Sequence, residues 1–381
     1  MQLSYKFRIY PNKEQEQKML EVLNNCRFVY NRMLGGLNRQ SKPNRLELQN
    51  SIPKLKESFP KLKNVYSKVL QYESYKLFSN LRSLARLKKN GKKVGRLRFK
   101  GKGWFKTFVY NQSGFKIVET NKRCQLLHLS KIGDIRIRVH RKINGKTKQI
   151  VVKHYPSGKW YAFVCCEQGQ EIAENPNNKA IGIDLGTVNF IYDSEGNHIN
   201  HPKFLNNSLE RLRAEQRKLS RKKKGSKNRQ KQKIKVARIH EKIVNQRDDF
   251  LHKLSKKYVD DYSFIAVEKL NIRGLIRNSY NPRNILDASW NKFIQFLTYK
   301  AVRAGSQIVE VNPKETTGRC SRCGEIVKKR LWCRIHKCDC GLVLGRDYNS
   351  AINILKLGLE RAFRPLETEP LLDNQQVQPM N

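Results

Sequence analysis

Leu3, Tyr5, Phe7 and Ile9 alternate with polar residues, the period-two pattern of a strand with one buried face. Pro11 ends it, and Asn12 followed by Gln15 has the form of a capping box that opens a helix. Leu20, Leu23, Val29, Met33 and Leu37 then hold helical spacing. A second stripe, Val65, Val69, Leu70, Leu77, Phe78 and Leu81, predicts a helix from about Lys63 to Lys88. From Trp104 to Cys166 the pattern shortens to strands: FKTFVY, FKIV, LLHLS, IRIRVH, KQIVVKHY and KWYAFVCC. Turn residues separate them, among them Asn144-Gly145 and Pro156-Ser157-Gly158. With the first strand they predict a small β-barrel from 1–11 and 91–172, carrying an inserted helical part at 12–90.

The polar stretch EQGQEIAENPNN (167–178) precedes a change to α/β texture. KAIGIDLG, FIAVEKL and SQIVEVN read as buried strands. Residues 205–255 read as two long helices and 287–305 as another. This part spans 173–315 and 347–365, interrupted by a cysteine-bearing insertion at 316–346. Residues 366–381 contain three acids, two prolines and no Lys or Arg, and read as a disordered tail. No apolar run approaches the ~18 residues that span a bilayer. The opening MQLSYKFRIYP lacks the charged-then-apolar layout of a signal peptide. A cytoplasmic protein is expected.

Charge sharpens this picture. Lys plus Arg is 78 and Asp plus Glu is 32, a net charge of +46. Such an excess opposes compaction unless a polyanion compensates it, and nucleic acid is the expected partner. An acidic membrane surface fits less well, because the basic residues are spread along the whole chain. Three segments concentrate the charge. KKNGKKVGRLRFKGKG (88–103) contains no acid and reads as a phosphate-facing connection. Arg136 and Arg138 alternate with apolar residues, which gives one core face and one basic face. From Arg217 to Lys235, 11 of 19 residues are Lys or Arg and none is acidic. Two helices joined at Lys224-Gly225-Ser226 fit that run, with Lys222, Lys223 and Lys224 placed to contact phosphate.

Candidate chemistry rests on three acids and a cysteine cluster. Asp184 in IGIDLG and Glu268 in AVEKL each sit inside an apolar strand. A carboxylate buried without a partner costs several kcal/mol or takes up a proton, so a shared cation explains two of them best. Asp347 in GRDYNSA opens a helix and supplies a third oxygen ligand. Taken singly, each also reads as a strand-end or capping carboxylate. Together, in so basic a chain, they favour a Mg²⁺ site, and two such ions suit phosphodiester hydrolysis. Cys320-Ser321-Arg322-Cys323-Gly324 and Cys338-Asp339-Cys340-Gly341 supply four thiolates for a structural Zn²⁺. Cys333 and His336 lie between the pairs and leave the ligand set open. Cys26, Cys124, Cys165 and Cys166 are scattered among apolar residues and read as packing residues.

In order, IGIDLG, AVEKLNIRGL, VNPKETTGRCSRCG and CDCGLVLGRDYNSAINIL closely resemble the TnpB family of transposon-encoded nucleases, relatives of type V CRISPR effectors. RDDFLHKLS at 247–255 and the opening SYKFRIYPNKEQEQKML are similar to that family too. The resemblance covers nearly the whole chain except its tail. It implies an α+β multidomain fold: a wedge β-barrel with an inserted helical recognition part, then a RuvC-like, RNase H-type nuclease domain with a zinc-ribbon-like insertion. It implies a guide RNA encoded at the transposon end and cleavage of double-stranded target DNA beside a short transposon-adjacent motif. Carried over by motif, the catalytic acids are Asp184, Glu268 and Asp347, holding two Mg²⁺ with Mn²⁺ as a substitute. The zinc ligands are Cys320, Cys323, Cys338 and Cys340. Motif-reading residues are expected in the helical insert and wedge, with Lys68, Gln71 and Lys76 the polar candidates on the second helix. A prokaryotic, nucleoid-associated location follows from the same resemblance.

Overall fold

The structure is a computed structural model that describes residues 2–40, 42–119, 125–169, 175–277, 282–314, 316–330 and 333–363. The expected tail at 366–381, Cys124 and part of the polar stretch at 167–178 lie outside the described residues. The chain forms two compact units: Met1–Gln170 with Lys223–Arg238, and Glu171–Lys222 with Ile239–Asn381.

The first unit begins with strand β1 (Gln2–Tyr10) and helix α1 (Lys13–Leu37). The capping box is present: the Gln15 N–H donates to Asn12 Oδ1 at 2.8 Å, and the Asn12 N–H to Gln15 Oε1 at 3.0 Å. Two short helices follow, α2 (Arg45–Asn50) and α3 (Ile52–Ser58), which the periodicity did not reveal. Helix α4 (Ser67–Lys89) starts later than Lys63, because Pro60–Asn64 forms a 3₁₀ turn and the chain runs extended at Val65. Strands β2 (Thr107–Asn111), β3 (Phe115–Val118), β4 (Gln125–Leu129), β5 (Gly133–Arg138), β6 (Lys146–His154) and β7 (Trp160–Glu167) complete the unit. They form an antiparallel sheet in the order β2-β6-β7-β1-β5-β4-β3, a half-barrel with β1 at its centre. Phe7 and Ile9 of β1 pack with Val29 and Tyr30 of α1 and Leu70 and Leu77 of α4 in one core. Cys26 and Cys166 belong to that core, as expected of packing cysteines.

The second unit contains β8 (Ala180–Asp184), β9 (Asn189–Asp193), β10 (His198–Asn200), α5 (Phe204–Asn207), α6 (Leu209–Ser220) and the long α7 (Lys227–Asp261), whose first residues group with the other unit. It continues through β11 (Phe264–Glu268), α8 (Ile272–Arg277), α9 (Pro282–Ala288), α10 (Trp290–Ala304), β12 (Gln307–Val311), the β13 (Ile335–Lys337) and β14 (Val343–Gly345) pair, and α11 (Arg346–Phe363). The main sheet has the order β10-β9-β8-β11-β12. Strands β8, β11 and β12 are parallel, whereas β9 and β10 return antiparallel. Only the three parallel strands were visible as apolar runs. β10 has only three residues, and β9 (NFIYD) begins and ends on polar residues, which leaves three consecutive apolar positions, too few to separate strand from loop.

Strand parity explains how the sheet is covered. Ile181, Ile183, Ile265 and Val267 pack with Leu251, Phe293 and Leu297 from α7 and α10. Phe264 and Ala266, of opposite parity, pack with Ile354. Gly182 shares that second face, and a Cβ there would stand 2.7 Å from the Leu355 nitrogen and 2.8 Å from Leu355 Cβ. At Gly358 a Cβ would meet Ala266 Cβ at 2.5 Å. Two glycines thus let α11 lie directly on β8 and β11. The segment RDDFLHKLS ties α7 to its neighbours: Arg247 pairs with the buried Asp287 and His252 stacks on Phe296 at 3.9 Å.

Candidate active site

Asp184 and Glu268 are the last residues of β8 and β11. These strands pair in parallel with Ala266 beside Gly182 and Val267 beside Ile183, so the next pair in register is Glu268 beside Asp184. Both acids have the parity of Gly182 and Ala266 and face α11, where Asp347 stands in the first turn. Ligand sites in open α/β sheets form at such carboxyl ends of strands.

The electrostatics show acids close enough to disturb one another. Burial raises the Asp184 pKa well above the ordinary carboxylate value, and the charges of Glu268 and Asp347 raise it further. Arg346 and the Leu185 N–H oppose that shift. Burial also raises Glu268, against a hydrogen bond from Thr316. Asp347 lies 3.3 Å from Arg346 Nε and 3.7 Å from Arg334 Nη1. A cation is the species that would hold all three ionised at once. Hard oxygen donors on so few residues match Mg²⁺ or Mn²⁺.

A polar network that the sequence reading did not anticipate surrounds Glu268. The Thr316 hydroxyl donates to Glu268 Oε1. Asn353 Nδ2 donates to the Thr316 carbonyl at 2.9 Å and to the Arg319 carbonyl at 2.7 Å. Asn349 receives the Ser321 N–H at 2.9 Å and donates to the Arg319 carbonyl at 2.8 Å. Lys356 Nζ reaches the Ser321 carbonyl at 2.5 Å. Asn349, Asn353 and Lys356 are spaced by four and three residues, so they form one face of α11. Their spacing was the available signal, but polar residues on a helix read by default as a solvated face.

That gripped segment leads into the cysteine cluster. The Cys320, Cys323, Cys338 and Cys340 sulfurs all lie within 4.8 Å of one another, the one such group of potential ligands among the described residues. Cys320 to Cys340 is 3.6 Å and Cys323 to Cys338 is 3.5 Å. Four thiolates around Zn²⁺ at about 2.3 Å would stand about 3.8 Å apart. Burial opposes the Cys320 thiolate, but N–H groups of Cys323 and Arg322, aided by His336, pull its pKa down to about 5. Cys333 is exposed, lies outside the cluster and donates to the Ile335 carbonyl. His336 is buried beside Cys320, with Nδ1 against Lys329.

The nucleic-acid candidates are spread over several surfaces. Arg136 and Arg138 are exposed on the outer face of β5. Arg138 registers with Arg8, Arg8 with Tyr161, and Tyr161 with Lys153, a row of three cations and one ring across four strands. The Arg8 guanidinium lies 5.5 Å from the Tyr161 ring. Lys223 and Lys224 are exposed and Lys222 half-buried, beside the turn at Gly225. On α4, Lys68 is exposed and Gln71 half-buried. Lys76 is already engaged, 2.8 Å from Glu73 and over the Phe105 ring. Glu73 is fully buried, and burial lifts its pKa to about 7 against the pull of Lys76.

Three family descriptions match parts of the chain: "Probable transposase" (OrfB_IS605) at 163–279, "Cas12f1-like, TNB domain" at 290–354 and "Helix-turn-helix domain" at 1–44. The last segment folds here as β1 and one long helix, α1. A "Putative RNA-guided DNA endonuclease" of Streptomyces pristinaespiralis is 32% identical, over 93% of this chain and 89% of that protein. The chain belongs to the TnpB family. A second TnpB-family relative, "Putative RNA-guided DNA endonuclease InsQ" of Escherichia coli K12, is 30% identical over 96% of this chain and 97% of its own. The fold extends beyond the family. The protein in "Cryo-EM structure of the Cas12f1-sgRNA-target DNA complex" superposes with a TM-score of 0.61 at 14% identity, covering 93% of this chain and 98% of that one. The α+β class expected for a TnpB protein is therefore the observed one, a half-barrel unit with helical insertion and an α/β unit bearing a cysteine ribbon.

Proposed function

We propose that this chain is an RNA-guided DNA endonuclease whose cutting centre is Asp184, Glu268 and Asp347. The observation that carries the reading is that β8 and β11 end on Asp184 and Glu268, one step beyond the paired Ile183 and Val267, with the parity of the face that packs on α11, the helix that opens with Asp347. The names of the two full-length relatives support the activity class. Two Mg²⁺ held by these acids, with Mn²⁺ as substitute, would stabilise the attacking and leaving oxygens of phosphodiester hydrolysis. Cys320, Cys323, Cys338 and Cys340 would hold one structural Zn²⁺ and leave no open position for chemistry.

In this reading base pairing by a guide RNA from the transposon end selects the target, and the protein reads a short adjacent motif on the duplex. The half-barrel with its helices serves as wedge and recognition part, and the α/β unit as the RuvC-like nuclease. The exposed cations of β5 and of the 217–235 run face the phosphate backbone, which demands no base contact. Among the described residues no helix is long and apolar enough to cross a membrane. We place the protein in the prokaryotic cytoplasm at the nucleoid.

The test is to purify the chain, sequence the RNA that accompanies it, and challenge the complex with DNA that matches that RNA beside a randomised flank. Wild type should cut in Mg²⁺ beside a restricted set of flanks. Asp184→Ala should bind the same DNA without cutting it. Equal cutting by Asp184→Ala would overturn the site assignment, and cutting unrelated to the RNA would overturn guidance.

A further inference from the structure

We infer that Thr316 is a positioning residue for the metal-binding carboxylates, and that α11 sets its position through Asn353. The inference rests on the proposed role of Glu268 and deepens it. Thr316 is 1% exposed, and its hydroxyl donates to Glu268 Oε1. One carboxylate oxygen is therefore committed to a neutral donor that leaves the charge available to an ion. The backbone of Thr316 is held in place, because its carbonyl accepts from Asn353, and its hydroxyl lies between Glu268 Oε1 and the Pro313 carbonyl, 3.2 Å away. Asn353 is 3% exposed and spends its amide on two carbonyls of the same loop. Asn349, one helical turn earlier, clamps the loop again at Arg319 and Ser321.

The helix that carries Asp347 thus also fixes the group that orients Glu268. Two acids on different elements are held relative to each other by one loop, anchored by the buried Thr316 and continuing directly into Cys320. Groups that hydrogen-bond a ligating carboxylate fix its direction, and losing one typically costs 10–100-fold in metal affinity. A purely structural threonine would instead matter through its methyl group and its burial. The two roles part at the hydroxyl.

The experiment measures Mn²⁺ binding to the purified RNA-loaded protein by electron paramagnetic resonance, alongside zinc content and thermal stability. Thr316→Val keeps shape and removes the donor, and Thr316→Ser keeps the donor and removes the methyl. Thr316→Val should weaken Mn²⁺ binding by about 10–100-fold with zinc content unchanged. In cleavage, its half-saturating Mg²⁺ concentration should rise while the rate at saturating Mg²⁺ recovers most of the wild-type value. Thr316→Ser should bind Mn²⁺ as wild type does. Wild-type affinity in Thr316→Val would overturn the inference, as would equal losses in Thr316→Val and Thr316→Ser. Asp184→Ala separates this from the underlying reading. If that variant binds Mn²⁺ like wild type, the carboxylate centre itself is wrong. If Asp184→Ala loses the ion while Thr316→Val retains it, only the role of Thr316 is wrong.

Discussion

Gly182→Ala tests how the carboxylates are brought together without touching any of them. Gly182 lies in ordinary strand backbone, so alanine alone would favour folding by roughly 0.5–1 kcal/mol through lower chain entropy. Space decides against it. The new Cβ would stand 2.7 Å from the Leu355 nitrogen, where ordinary contact begins at 3.4 Å, and closer still to the Ala351 carbonyl oxygen. Both are helix backbone and cannot rotate away, and the tighter contact, to the Ala351 oxygen, sets the retreat of α11 at about 1 Å. Overpacking of this kind costs about 1–3 kcal/mol, and backbone on both sides places it at the upper end. The net expectation is a loss of about 2 kcal/mol, or about 4–8 °C in the transition of this unit. Activity should suffer more than stability. Asp347 lies one turn before Ala351, and a misplacement near 1 Å in a catalytic constellation costs about 100-fold. Gly358→Ala is the control, because it forces α11 off Ala266 but lies about 16 Å along the helix from Asp347. Thermal melts and single-turnover cleavage at a temperature where both variants are folded make the comparison. Equal activity losses in the two would show that cutting follows stability and not the placement of Asp347. Wild-type behaviour of Gly182→Ala would refute the close approach itself.

Elemental analysis should find one zinc per chain; Cys320→Ser should lose it together with stability, and Cys333→Ser should keep both, since Cys333 lies outside the thiol group. Metal-free protein should lose stability as pH rises from the ordinary carboxylate range, near 4, through the raised values of Asp184 and Glu268. The folded state then holds more protons than the unfolded one, so stability falls with pH; saturating Mn²⁺ should flatten the slope, and Asp184→Asn should remove its share. Glu73, lifted to about 7 by burial, adds a slope of the same sign that Mn²⁺ should leave untouched, and Glu73→Gln should abolish that part in urea titrations at pH 6 and 8. Changing Lys222, Lys223 and Lys224 together to Gln should reduce the salt dependence of RNA binding by up to about three counterion units, equally for guides of different sequence. An unchanged slope would remove this turn from the RNA surface.

What the chain disclosed in advance follows a physical rule. Asp184 and Glu268 stood out because an ionised group in an apolar strand is costly, so its presence demands an explanation. The cysteine pairs stood out because thiols beside glycines in a polar segment have little other use. Strand β1 and the start of α1 were legible because alternation and capping are local signals. The short helices α2 and α3 and strand β10 were not, because each spans too few residues to show a period, and β9 was not, because polar Asn189 and Asp193 leave it only three consecutive apolar residues. Thr316, Asn349 and Asn353 were hidden for a different reason. Hydroxyls and carboxamides cost little to bury once they are hydrogen-bonded, so the sequence carries no sign of tension at those positions. Asn349 and Asn353 look like the solvated side of α11, yet both are buried against carbonyls of the loop that leads to Cys320. The same asymmetry separates two lysine environments. Lys76 read as a candidate for contact with DNA, and only the fold shows that it also reaches the buried Glu73. Charges that stand exposed and without an ion pair among the described residues, such as Arg136 and Arg138 along β5, are then the ones whose compensation is expected from outside the chain.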